Sequence, residues 1–198
     1  MNPTLPTLVL LAGLLAFLGL HSVRIFADGW RSAKIATLGE TRWKGLYSLA
    51  SFFGLGLIIW GFSLTRQAPV FLYHPPIWTR HLAGLLMLLA FWLIVAAYVP
   101  RNHFKAKLGH PMVAGVKVWA FAHLLANGSL ADVLLFGGFL VWAIVLFAVS
   151  RRRDRAAGVK PPRPELAKTV ITLVVGTVAW AVFGFWLHQV LFQVRPFG

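Results

Sequence analysis

Apolar stretches long enough to cross a bilayer, about 17–25 residues each, recur along the whole of this 198-residue chain. In hydrocarbon a backbone must satisfy its own hydrogen bonds, so each such stretch has to be a helix. Hydrophobic residues make up 59% of the sequence and charged residues 12%, about half the charged share of an ordinary soluble domain. The expected fold is therefore all-α: a polytopic membrane helical bundle with about six transmembrane helices, forming one domain over residues 1–198. The expected spans are about Leu5–Phe26, Gly45–Leu64, Ile77–Val99, Pro111–Asn127, Ala131–Ser150 and Ala167–Phe192, the fourth being the shortest.

Turn and cap residues punctuate these spans. His74-Pro75-Pro76 breaks the chain before the third, and Pro100 ends it. Pro111 suits the first turn of the fourth helix, where its missing N–H costs nothing. Asn127-Gly128 closes that helix, and Ser129 with Asp132 reads as a capping box for the next. The first span lacks a basic segment before it and a small-residue cleavage site after it, so it reads as a retained helix. Gly54 and Gly56, Gly137 and Gly138, and Gly176 and Gly184 are read as points of close helix approach.

The net charge of +14 would suggest a nucleic-acid partner in a soluble protein. Here the cations sit in short inter-span loops without acidic or aromatic interleaving, which points to topology and anionic head groups and excludes nucleic acid. Sixteen of the nineteen Lys and Arg residues fall on one side, the exceptions being Arg66, Arg80 and Arg195. The positive-inside rule then places both termini away from the cytoplasm. With no cysteine, disulfides, thiolate ligands, iron–sulfur clusters and covalent haem attachment are excluded.

The seven histidines sort by depth. His21 and His110 lie near the cytoplasmic boundary, with His103 in the loop just before His110. His81, His123 and His188 belong to the opposite half, and His74 to an outer loop. A six-coordinate haem needs two axial nitrogens at one level on different helices. His110 and His123 are about 20 Å apart along one helix at ~1.5 Å per residue, so they cannot share an iron. His21 with His110 can, and His81 with His123 is a second level-matched pair. Arg24, three residues after His21, and Lys117, seven after His110, fall on the same helical faces as those histidines and suit haem propionates. Lys117 also fits a snorkelling cation, although ionisable groups inside spans are functional candidates by default. No cluster of acids accompanies the histidines, so a carboxylate-rich di-metal site is not expected.

These residues resemble a known family. His21-Ser22-Val23-Arg24 closes the first span, and Arg42-Trp43-Lys44-Gly45-Leu46-Tyr47 opens the second. Asn102-His103-Phe104 precedes Lys107-Leu108-Gly109-His110-Pro111, and the long run from Val116-Lys117-Val118-Trp119 through His123 to Asn127-Gly128 follows. Together they resemble the NnrU family of bacterial membrane proteins, which is linked to denitrification and nitric oxide and is similar to the haem b enzyme 15-cis-zeta-carotene isomerase. The resemblance implies a haem b-binding bundle in which His21 and His110 match the isomerase's histidine motifs and His123 aligns with a family histidine. Because no cysteine is present, a thiolate cannot serve as an alternative iron ligand, which argues against isomerase activity. The implied partners are membrane lipid and either a hydrophobic small molecule or enzymes of nitrogen-oxide metabolism.

Two other readings come from different classes. His110-Pro111 followed by a short helix also resembles membrane methyltransferases that use S-adenosylmethionine. Those enzymes carry an acidic pair after their last hydrophobic hairpin, whereas here Asp154 and Glu165 both precede the sixth span. A non-catalytic bundle that supports another membrane complex is the third reading, with the basic fifth loop as its docking face.

Overall fold

The computed structural model describes residues 4–197. The chain is all-α, with α1 (Thr4–Phe26), α2 (Asp28–Leu38), α3 (Glu40–Thr65), α4 (Trp78–Tyr98), α5 (His103–Leu108), α6 (Pro111–Ala126), α7 (Leu130–Ala156) and α8 (Leu166–Val182). The last helix continues through a π-turn, Phe183–Leu187, into His188–Phe192. Among the described residues five helices are long and apolar enough to cross a membrane: α1, α3, α4, α7 and the 27-residue run Leu166–Phe192. The expected fourth span, α6, has 16 residues. It is about 24 Å long at ~1.5 Å per residue, short of the ~30 Å hydrocarbon core. The six expected spans are thus five long helices and one short one, and the protein is a polytopic helical membrane protein.

Three boundaries differ from expectation. The polar stretch after α1 is itself helical: α2 buries none of its residues and rests the Trp30 ring edge-on against Trp43 at 5.9 Å. The helix α3 starts at Glu40 instead of Gly45, with Lys44 and Glu40 paired at 2.7 Å across one turn. The helix α7 runs past Ser150 to Ala156, so the arginine cluster Arg151-Arg152-Arg153 is helical.

The chain forms two compact units, residues 1–73 with 129–138, and residues 74–128 with 139–198. In the first unit α1 and α3 run antiparallel with their backbones in contact. A methyl group on Gly13 would come within 2.5 Å of the Ile58 amide nitrogen, and one on Gly54 within 2.9 Å of the Phe17 amide nitrogen. Gly61 meets the Leu10 backbone in the same way. Such contact between helix backbones is how small residues hold spans together where no hydrophobic force acts between them. A single bridge, Phe71 with Ser129, and the Leu130 amide donating to the Val70 carbonyl at 2.7 Å tie the loop before α4 to the start of α7.

In the second unit α4 packs against α6 and α8. Gly115 lies against the Ala90 carbonyl and Ile94, and Gly176 against Trp92, whose indole N–H donates to the Thr177 hydroxyl at 2.9 Å. Trp180 donates to the Gly84 carbonyl at 3.0 Å, and the Phe197 ring fills the space beside Gly84 and Gly184. The buried core is built largely of alanines, Ala90, Ala96, Ala120 and Ala122 among them. Of the glycines read as points of helix approach, Gly54 and Gly176 act as such, whereas Gly184 makes room for the Phe197 ring. Gly56 and Gly137 face open space, and Gly138 makes only ordinary contact with Leu14 and Leu18.

Candidate functional site

The polar residues of the second unit gather where α4, α5, α6, α7 and α8 end or begin. Pro100 stops α4, and Asn102 then links two elements. Its buried side chain accepts from the Lys105 amide at 2.8 Å as the N-cap of α5, and donates to the carbonyls of Ala96 at 2.9 Å and Val99 at 2.6 Å. An N-cap oxygen of this kind satisfies an amide the helix cannot. Gly109 turns the chain out of α5 with φ of 72°, in the left-handed region that glycine enters without strain. A methyl group there would sit 3.1 Å from the Arg151 guanidinium and 3.3 Å from the Asp154 carboxylate. His110 follows as the N-cap residue of α6, with Pro111 in the first helical position as expected.

His110 Nε2 lies 2.9 Å from Asp154 Oδ2. An ionised carboxylate only accepts hydrogen bonds, so Nε2 carries the proton and the lone pair of the neutral ring is at Nδ1. Two turns further along the same face of α6, the Lys117 ammonium stands over the Phe147 ring at 3.8 Å from its centre, a cation–π contact. Asp154 and Phe147 are likewise seven residues apart on α7, so His110 and Lys117 face α7 from one stripe, as their spacing predicts. Nearby, Arg101 and Glu165 pair at 2.7 Å, and His103 Nδ1 meets the Thr169 hydroxyl at 2.7 Å.

The other histidines are held locally. His21 Nδ1 donates to the Phe17 carbonyl of its own helix at 2.7 Å. Its ring stacks on Phe17 at 4.2 Å and meets Tyr47 edge-on at 5.4 Å. The proton at Nδ1 leaves the lone pair at Nε2, which is the tautomer a metal-ligating histidine adopts. Arg24 lies in the last turn of α1, one turn beyond His21. His123 makes the same bond, from Nδ1 to the Trp119 carbonyl at 2.9 Å, and its ring leans on Trp119. His188 donates to the Val194 carbonyl at 2.9 Å. His81 is exposed in the first turn of α4, and His74 stays in the loop before it. Among the described residues no group of three or more His, Cys, Asp or Glu side chains comes together as a metal site.

The residues singled out from sequence therefore divide. His21 and Arg24 belong to the first unit, whereas His110, Lys117 and His123 belong to the second. His21 and His123 suit axial ligation through Nε2, but His110 does not in this arrangement, because Asp154 holds that nitrogen. Asp154 is the residue that sequence reasoning missed. It lies 44 positions from His110, and it seemed a loop acid only because α7 was expected to stop at Ser150. The acids weighed for a methyltransferase, Asp154 and Glu165, are engaged with His110 and Arg101. Asp132 does form the expected capping box. Its carboxylate accepts from the Ser129 amide at 3.0 Å and the Ser129 hydroxyl at 2.6 Å, and its own amide donates back to that hydroxyl at 3.2 Å. Burial, with the Asp132 charge adding to it, pushes the Tyr73 phenol above its usual range.

A family model described as NnrU protein matches residues 9–196, nearly the whole chain. The chain belongs to the NnrU family. The match takes in every element from α1 onward, so both compact units of this NnrU protein are family structure. Neither the curated proteins nor the solved structures contain a significant match.

Proposed function

We propose that this NnrU-family protein binds haem b in a bacterial inner membrane and serves nitrogen-oxide metabolism, with both termini away from the cytoplasm. In this reading His21 and His110 would hold the iron, and Arg24 and Lys117 would neutralise the propionates. The observation that carries it is the His21 ring: its Nδ1–H is fixed on the Phe17 carbonyl at 2.7 Å, so the lone pair is presented at Nε2. As second ligand His110 would offer Nδ1 while Asp154 holds its Nε2–H, or Nε2 if that bond were given up. A haem with His21 alone leaves that bond in place. When bound, the haem supplies redox and gas-binding chemistry, and the protein supplies the ligands, the propionate partners and the surrounding apolar helices.

The test is an optical spectrum of the full chain purified in detergent after expression with ample haem. A Soret band is expected, lost in His21→Ala and kept in His74→Ala. Loss in His110→Ala as well supports two ligands, whereas its persistence with a changed spin state supports one. No Soret band in the wild-type protein overturns the reading. The predicted topology is tested separately by reporter fusions at the C-terminus, which are expected to be active only outside the cytoplasm.

A further inference from the structure

The face of α8 turned away from the core carries a second feature that the haem reading does not use. An open furrow of about 500 Å³, within the size range of small-molecule sites, runs along α8 beside α4. Phe91 forms one wall, and Val175, Val178, Val182 and Phe183 are among the residues lining the rest, all apolar. Its origin is local. Gly176 and the Trp92–Thr177 hydrogen bond draw α8 onto α4 at one edge, while short valines leave the other edge shallow. The π-turn Phe183–Leu187 then widens the helix where the furrow ends. From Val174 to Leu187 it extends about 20 Å at ~1.5 Å per residue, a length suited to a hydrocarbon chain lying along the helix.

A cation precedes this furrow along α8. Lys168, Val175 and Val182 follow one another at intervals of seven, two helical turns each, so Lys168 stands on the same stripe in the first turn of α8. The second unit contains two carboxylate side chains, Asp154 and Glu165, and these already pair with His110 and Arg101. No protein acid in the unit is left to neutralise Lys168, or Lys160 and Arg163 in the loop leading to it. A positive group at the end of a span, two turns before an apolar furrow of acyl-chain length on the same stripe, is complementary to an anionic amphiphile.

We infer that this furrow binds an anionic phospholipid, with its phosphate on Lys168 and one acyl chain along α8 against Phe91. The experiment is native mass spectrometry of the full chain in detergent, incubated with an equal mixture of phosphatidylglycerol and phosphatidylcholine. Phosphatidylglycerol adducts are expected in excess. Lys168→Gln lowers that excess about fivefold, the effect of one basic residue near a charged head group. Lys168→Arg restores it, and rising salt weakens it. Val178→Trp, which fills the furrow, removes adducts of both lipids. Because Lys168 lies at the surface end of the helix, its variants keep the proposal testable should Val178→Trp fail to fold. Equal retention of the two lipids by the wild-type protein, or an unchanged excess in Lys168→Gln, overturns the inference.

Discussion

The two units are held together by different means. In the first, α1 and α3 meet backbone to backbone at Gly13, Gly54 and Gly61. Two charged pairs there, Asp28 with Arg31 and Glu40 with Lys44, lie within single helices. In the second unit, side chains join separate elements: Asn102 to α4, Arg101 to Glu165, His103 to Thr169, and His110 to Asp154. The difference shows where chemistry can reside. Backbone contact between helices fixes their spacing, whereas a network of hydrogen bonds between helix ends can exchange partners. His21 combines both on the scale of one residue: its Nδ1 bond runs to a carbonyl of its own helix, while its ring meets Tyr47 of α3.

Substitutions sharpen the contrast. The largest effect is expected at the glycine crossing. Gly61→Leu forces a side chain into the Leu10 backbone, and overpacking of this kind costs about 1–3 kcal/mol or more. Gly56→Leu, which faces open space, is the matched control. A large loss of thermal stability in detergent for the first variant, and little change for the second, supports backbone contact as the tie. Equal behaviour would contradict it.

Next comes Asp154→Ala, which strands the His110 ring. Both side chains are about a third exposed, 32% for His110 and 27% for Asp154. A hydrogen bond to a charged group is worth about 1.5–3 kcal/mol when buried, and the partial exposure lowers the expected cost to about 1 kcal/mol. Combined with His110→Ala in a double-mutant cycle, the two losses should fail to add. Simple additivity would mean the pair does not act as one unit. Ser129→Ala removes half of the α7 capping box and should cost about 1 kcal/mol, read as a lower melting point with the helix content kept. The smallest effect belongs to the exposed Arg101–Glu165 pair. Its removal by Arg101→Ala should change stability by at most ~1 kcal/mol, and a larger loss would show that this bridge holds α8 in place.

Much of this was legible in the sequence, and the rest failed for identifiable reasons. The spans, the Pro111 start of α6 and the Ser129–Asp132 cap are local patterns, and local patterns read well. The helix α2 is not legible because its mixed polar and apolar residues lack the hydropathy of a span. Gly13 and Gly61 were passed over because one glycine in an apolar run looks like another until a crossing partner is known. The face shared by His110 and Lys117 followed from helical period alone, and the structure bears it out. Their partners, Asp154 and Phe147, could not follow, since contacts between helices 30 or more residues apart have no signature in local spacing. The i−4 carbonyl bonds of His21 and His123 were local and could have been anticipated from their positions inside helices.

The account stands or falls most directly on the haem content of the purified full-length protein, measured for wild type and His21→Ala side by side. It predicts a stoichiometric complement in the wild type and near-complete loss in the variant, with the variant still folded as judged by its helix content. A wild-type protein without haem despite ample supply, or equal haem in both, would contradict it.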